Sequence, residues 1–235
     1  ATIPLVLAGV LLSTLHQSSL GALYLIVPNK LHPLWYSPAL PWIFWTSAIA
    51  AGLAMVIIES RLSSRAFGRP VEMHLLKDIA RALLVALGVF AVLRTYDLVH
   101  RGVIAEVFRP SYESGMFALE FALGVLLPFA LLLSPRTRTD IRRLYPAALL
   151  AVSGFLVNRL NVSVTGLERS SGTDYVPAFS EIAISLFLVA LGFGAFGLMV
   201  RYFRVYPEAG ARSAAAPPAP AKPSRALAQP AGRPA

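Results

Sequence analysis

Long stretches of this chain carry almost no charge. Residues 2–27, 37–59, 79–99, 115–133, 144–162 and 180–203 form six apolar runs, separated by shorter polar segments. A helix crossing about 30 Å of hydrocarbon needs roughly 20 such residues, and each run supplies them. None alternates apolar with polar positions as a membrane β-strand does. The pattern predicts an all-α integral membrane protein with about six transmembrane helices, arranged as one four-helix bundle plus flanking helices. The helical domain covers residues 1–206. Residues 207–235, dominated by Ala and Pro, are expected to be a disordered tail, because they cannot build a core.

Composition removes alternatives. Charged types make up 14% of the chain, against about a quarter in soluble domains, so there is too little polar material to cover a water-exposed surface. There is no cysteine, which excludes disulfides, Cys-ligated zinc or iron–sulfur clusters, and covalently attached haem. The chain opens at Ala1 directly into an apolar run with no cleavage site before it, the pattern of a mature product or a piece of a longer protein.

A net charge of +9 raises nucleic acid as a partner, but the positions of the charges point to the membrane. Arg61, Arg65, Arg69, Lys77 and Arg81 follow the second run, and Arg136, Arg138, Arg142 and Arg143 follow the fourth. Arg201, Arg204, Arg212, Lys222, Arg225 and Arg233 close the sixth and the tail. The alternate loops hold only Lys30, Arg101, Arg109 and Arg169. By the positive-inside rule, the basic loops and the tail face the cytoplasm of a multi-pass protein. Trp35, Tyr36, Trp42 and Trp45 then form an outer aromatic belt, with Tyr202, Phe203 and Tyr206 on the inner side. Trp35 and Tyr36 sit in a Pro-rich loop, where they also suit the wall of a ligand entrance.

Ionisable groups inside spans are costly and mark functional paths or buried pairs. The first run carries Ser13, His16 and Gln17 near its middle; the second ends at Glu59. Arg94 and Asp97 share a face of the third, Glu120 lies in the fourth, and Asn158, Arg159 and Asn161 lie in the fifth; Glu181 opens the sixth. With odd runs pointing outward and even runs inward, most of this set falls in the outer half, which predicts a polar chamber open to the outside. Each residue also has a structural reading: Arg94 with Asp97 and Glu120 with Arg159 as ion pairs, Arg159 snorkelling, Glu181 as a helix N-terminal acid, Glu59 as an interfacial charge beside Arg61. His16, flanked by Gln and hydroxyls at mid-membrane, suits a quinone carbonyl and can carry a proton near neutral pH. Haem needs two imidazoles in register, and His32, His74 and His100 lie in loops or at span ends. A metal site lacks clustered ligands.

The segment Ser13-Thr14-Leu15-His16-Gln17-Ser18-Ser19-Leu20-Gly21 resembles the NrfD-like family of polysulfide reductase membrane subunits. So do Lys30-Leu31-His32-Pro33-Leu34-Trp35 and Ala51–Ser60, with Asn158-Arg159-Leu160-Asn161-Val162-Ser163 and Pro177 with Ser180-Glu181 further on. Within the family it most resembles the HybB-type membrane subunits of nickel–iron hydrogenases, over nearly all of residues 1–206. The resemblance implies a fold of two four-helix bundles with about ten spans, of which this chain would be the last six. It implies no haem, and electron exchange between a periplasmic ferredoxin-like iron–sulfur subunit and menaquinone or ubiquinone in the bacterial inner membrane, with nickel–iron large and small subunits as further partners. It puts His16, with Ser13, Gln17 and Trp35 around it, near the quinone, and Glu59, Arg94, Asp97 and Glu120 on a proton path. A subunit of a polysulfide, nitrite or molybdoenzyme reductase, a passive anchor, and a proton-conducting protein without redox chemistry are the competing readings.

Overall fold

The computed structural model describes residues 2–68, 70–167 and 178–202. The expected tail, 207–235, lies outside them. Among the described residues every regular element is helical, as predicted. Helix α1 is Thr2–Leu23, α2 is Leu40–Phe67 and α3 is Met73–His100. The fourth, α4, runs over Tyr112–Leu133 with a π-turn at Ala122–Leu126, and α5 over Ile141–Thr165, ending in a π-turn at Asn161–Thr165. A separate unit, 176–235, contains α6, Phe179–Tyr202.

Five of these helices, α1, α2, α4, α5 and α6, are long and apolar enough to cross a membrane. The remaining predicted span lies in α3, one continuous helix of 28 residues. Both α2 and α3 outrun their predicted ends: α2 continues past Glu59 to Phe67 and α3 begins at Met73 rather than at 79. Hydropathy detects only the apolar part, whereas a helix keeps its backbone groups bonded into the polar interface. Local signals set the true ends. Pro41 sits in the first turn of α2, and Gly68 (φ 62°) closes it, its N–H on the Ser64 carbonyl. The Ser111 and Asp140 side chains cap the starts of α4 and α5.

Helices α2, α3, α4 and α5 form the four-helix bundle, and α1 packs on α2. The bundle core is apolar along most of its length. Ala50, Ala54 and Ile57 of α2 meet Leu83, Leu87 and Phe90 of α3 and Ala147, Ala148 and Ala151 of α5. Small residues let backbones approach where lipid supplies no hydrophobic drive. The extreme case is the α4–α5 crossing, where a Cβ on Gly154 would stand 2.0 Å from the Gly124 Cα. That contact lies one turn below Glu120 and Asn158, so it sets the distance between the two helices at the depth of the polar groups.

Candidate functional site

The buried polar groups meet near the end of the bundle where α3 stops and α4 begins. Arg94 lies six residues before the end of α3, Glu120 eight after the start of α4, and Asn158 seven before the end of α5. At 1.5 Å per residue all three sit roughly 9–12 Å below that end. The loop between α1 and α2 folds over them: Leu34, Trp35 and Ser37 are fully buried.

Glu120 is the centre. The Trp35 indole N–H is shared between its two oxygens, at 3.1 and 3.2 Å. Asn158 Nδ2 donates to Oε1 at 3.0 Å and Asn161 Nδ2 to Oε2 at 2.7 Å. The network fixes which way both amides point. Asn158 Oδ1 accepts from Arg159, which can only donate. Asn161 Nδ2 also faces the Met116 carbonyl, which can only accept, while its Oδ1 takes the Thr165 hydroxyl. Glu120 therefore sits in a cage of N–H donors, complementary to an ionised carboxylate; hydrogen bonds to a charged group contribute about 1.5–3 kcal/mol each. Both helices carry a π-turn beside these groups, at Ala122–Leu126 and Asn161–Thr165, and such turns recur at functional sites.

Arg94 is 2% exposed. Its Nη2 donates to the Leu34 carbonyl at 2.8 Å, and its guanidinium stands over the Phe117 ring, 5.4 Å from the centroid. Nη1 has no acceptor among the described residues. Asp97 pairs with Arg101 at 2.8 Å and accepts the Ser37 hydroxyl, and Arg101 also holds the Pro33 carbonyl. Every charged group of α3 at this depth thus fastens the α1–α2 loop.

These contacts replace both ion pairs considered from the sequence. Asp97 serves Arg101, four residues on, instead of Arg94. Arg159 turns away from Glu120 to α2, where it donates to Ser47 Oγ at 2.7 Å and lies over the Phe44 ring at 3.6 Å. Nor does the cluster form the open chamber expected: Arg94 and Glu120 are themselves buried, and the void beside them is small, about 10 Å³. Trp35 is fully buried with its indole N–H on Glu120, whereas Trp42 is exposed as a belt residue is. Of the predicted site residues, Arg94, Asp97, Glu120 and Trp35 come together. His16 and Ser13 are exposed on α1, with Gln17 half-buried between helix faces. Glu59 is exposed, 19 residues along α2 from its start, some 28 Å from that end. Asn158 and Asn161 stood out as amides three apart in an apolar run. Arg101 and Ser37 were missed: Arg101 was legible as the residue one turn after Asp97, while nothing local marks Ser37.

The histidines do not fit a haem within this chain. His74 and His100 sit at opposite ends of α3. The buried His32 lies in the loop with Nδ1 accepting the Leu34 N–H, and α2, on which the helix of His16 packs, carries no histidine. Among the described residues no group of three or more His, Asp or Glu is gathered for a metal ion.

Comparison with known proteins gives a family match and two informative relatives. A family model, "Polysulphide reductase, NrfD", matches residues 1–169. The chain is 33% identical over 202 residues to the probable Ni/Fe-hydrogenase 2 b-type cytochrome subunit of Escherichia coli, covering 85% of this chain and 51% of that one. It is 27% identical over 223 residues to the integral membrane subunit of menaquinone reductase from Nitratidesulfovibrio vulgaris, covering 85% and 53%. The chain spans about half the length of the curated relatives it matches. No solved structure matches it significantly. With the motifs around His16 and Asn158, a helical membrane bundle and a family match over most of its length, the chain belongs to the NrfD polysulphide reductase family.

Proposed function

We propose that this chain works as the quinone-reactive membrane subunit of a respiratory oxidoreductase of hydrogenase type. In this reading it passes electrons between a periplasmic iron–sulfur partner, itself served by nickel–iron subunits, and menaquinone or ubiquinone in the bacterial inner membrane. Its basic loops and tail face the cytoplasm. The observation that carries the reading is the buried Arg94–Glu120 cluster inside the bundle of an NrfD-family chain. A passive anchor has no use for two buried charges in a membrane, where each costs several kcal/mol unless compensated, by an order-of-magnitude estimate. The names of the relatives, a hydrogenase subunit and a menaquinone reductase subunit, favour redox work over bare ion conduction.

The division of labour follows from accessibility. His16, exposed on α1 with Gln17 beside it, is open to a lipid-soluble quinone and takes its carbonyl or its proton. Glu120 and Arg94, both buried, hold charge on the proton path, with Glu120 the group that exchanges protons with the quinone side and Asp97 tying down the loop. Glu59, near the basic end of α2, takes protons from the cytoplasm. The test is to assay the complex with and without this subunit, using quinone and a water-soluble dye as alternative acceptors. Loss of the subunit should abolish quinone-linked turnover and spare dye-linked turnover. Equal retention of both would leave only an anchoring role.

A further inference from the structure

Arg94 and Glu120 line one cavity together with Asn158, Phe90, Val125 and Phe155, yet they form no direct ion pair: the ion pairs of the described residues lie elsewhere. Nη1 of Arg94 is buried and has no acceptor among the described residues. A guanidinium N–H can only donate and a carboxylate can only accept, so a group that does both must stand between them if the two are joined. The cavity, about 10 Å³, is near the lower limit for one water molecule, roughly 10–15 Å³. A cation there would meet Arg94 and an anion would meet Glu120; a neutral molecule with both hydrogen-bonding roles meets neither objection.

We propose that this cavity is a binding site for a single water, which accepts a hydrogen bond from Arg94 Nη1 and donates one to the Glu120 carboxylate. Two hydrogen bonds of about 2.8 Å meeting at one oxygen span roughly 4.5–5.5 Å, beyond ion-pair contact and within one side-chain layer. The bridge completes the coordination of both charges and leaves Glu120 in touch with an exchangeable proton inside the bundle. Its existence does not depend on quinone reactivity; only its use in proton transfer does.

The experiment is a cryo-electron microscopy map of the intact complex in nanodiscs, at a resolution that shows ordered water. It should contain one density within hydrogen-bonding distance of both Arg94 Nη1 and Glu120. Absence of that density, or Nη1 turned onto a protein acceptor, overturns the proposal. A second arm uses infrared difference spectra in ordinary and ¹⁸O-labelled water. Val125→Ile adds a methyl group at the cavity wall and should remove an isotope-sensitive O–H band that Val125→Ala keeps. A band unchanged in Val125→Ile also overturns it. Should neither variant assemble, the wild-type map alone decides. Quinone-linked turnover of the same wild-type complex is read separately, so loss of the proposed function and loss of the water site are distinguishable outcomes.

Discussion

Replacing Glu120 by Gln keeps the shape of the side chain and removes its charge. Glu120 accepts from Trp35, Asn158 and Asn161 and is the acid that faces Arg94 in their shared cavity. Gln offers one acceptor oxygen and turns an N–H₂ toward donors on the other side, so at least one donor is orphaned, at about 1–3 kcal/mol. Arg94 is left buried without the carboxylate that faces it across the cavity, and a buried charge stripped of its compensation costs about 3–5 kcal/mol. The two effects overlap, so Glu120→Gln should destabilise the bundle by roughly 3–5 kcal/mol in total. Unfolding of the purified protein in mixed micelles, followed by ellipticity, measures this. Arg94→Met removes the other charge while filling its space, and the double variant should lose less than the sum of the singles by about 1.5–3 kcal/mol. A Glu120→Gln protein within about 0.5 kcal/mol of wild type would refute the reasoning, because it would mean that the cage holds a neutral carboxyl group.

Gly154→Ala should destabilise the bundle by about 1–3 kcal/mol or more, since its Cβ would enter the Gly124 backbone; Gly52→Ala, with open space around it, should stay near neutral in the same unfolding assay. Trp35→Phe keeps an aromatic ring but deletes the indole N–H and part of the buried bulk, which should cost at least about 1–2 kcal/mol and speed hydrogen exchange of the α1–α2 loop amides. His16→Ala should abolish quinone-linked turnover with stability unchanged, as expected for an exposed side chain; retained turnover would remove His16 from the quinone site. Glu59→Gln should slow quinone turnover or lower proton uptake per quinone in proteoliposomes, and unchanged values for both would take Glu59 off the path.

The helices were legible because their signal is local. An apolar run of twenty residues has few other uses, and Arg94, Asp97 and Glu120 were conspicuous as charges within such runs. Their pairing was not legible. Arg94 and Asp97 share a helix face, yet each is committed to a loop sixty residues away in sequence, Arg94 to the Leu34 carbonyl and Asp97 to Ser37. A carbonyl acceptor leaves no trace in residue type, and a serine in a Pro-rich loop looks like ordinary turn chemistry. Depth along a helix can be counted from sequence, but a loop folding back onto the polar groups at that depth cannot. Trp35 shows the two levels together. As a residue type it suits a membrane belt; only the position of Glu120, 85 residues on, makes it an internal donor.

The central claim is that the buried Arg94–Glu120 cluster serves quinone chemistry rather than the fold alone. It is tested most directly by comparing quinone-linked with dye-linked turnover in one preparation of the intact complex carrying Glu120→Gln, normalised to the folded fraction. The account predicts that dye-linked turnover is unchanged while quinone-linked turnover falls at least about a hundredfold, the scale of a lost acid–base group. Equal rates with both acceptors, matching wild type, would contradict it.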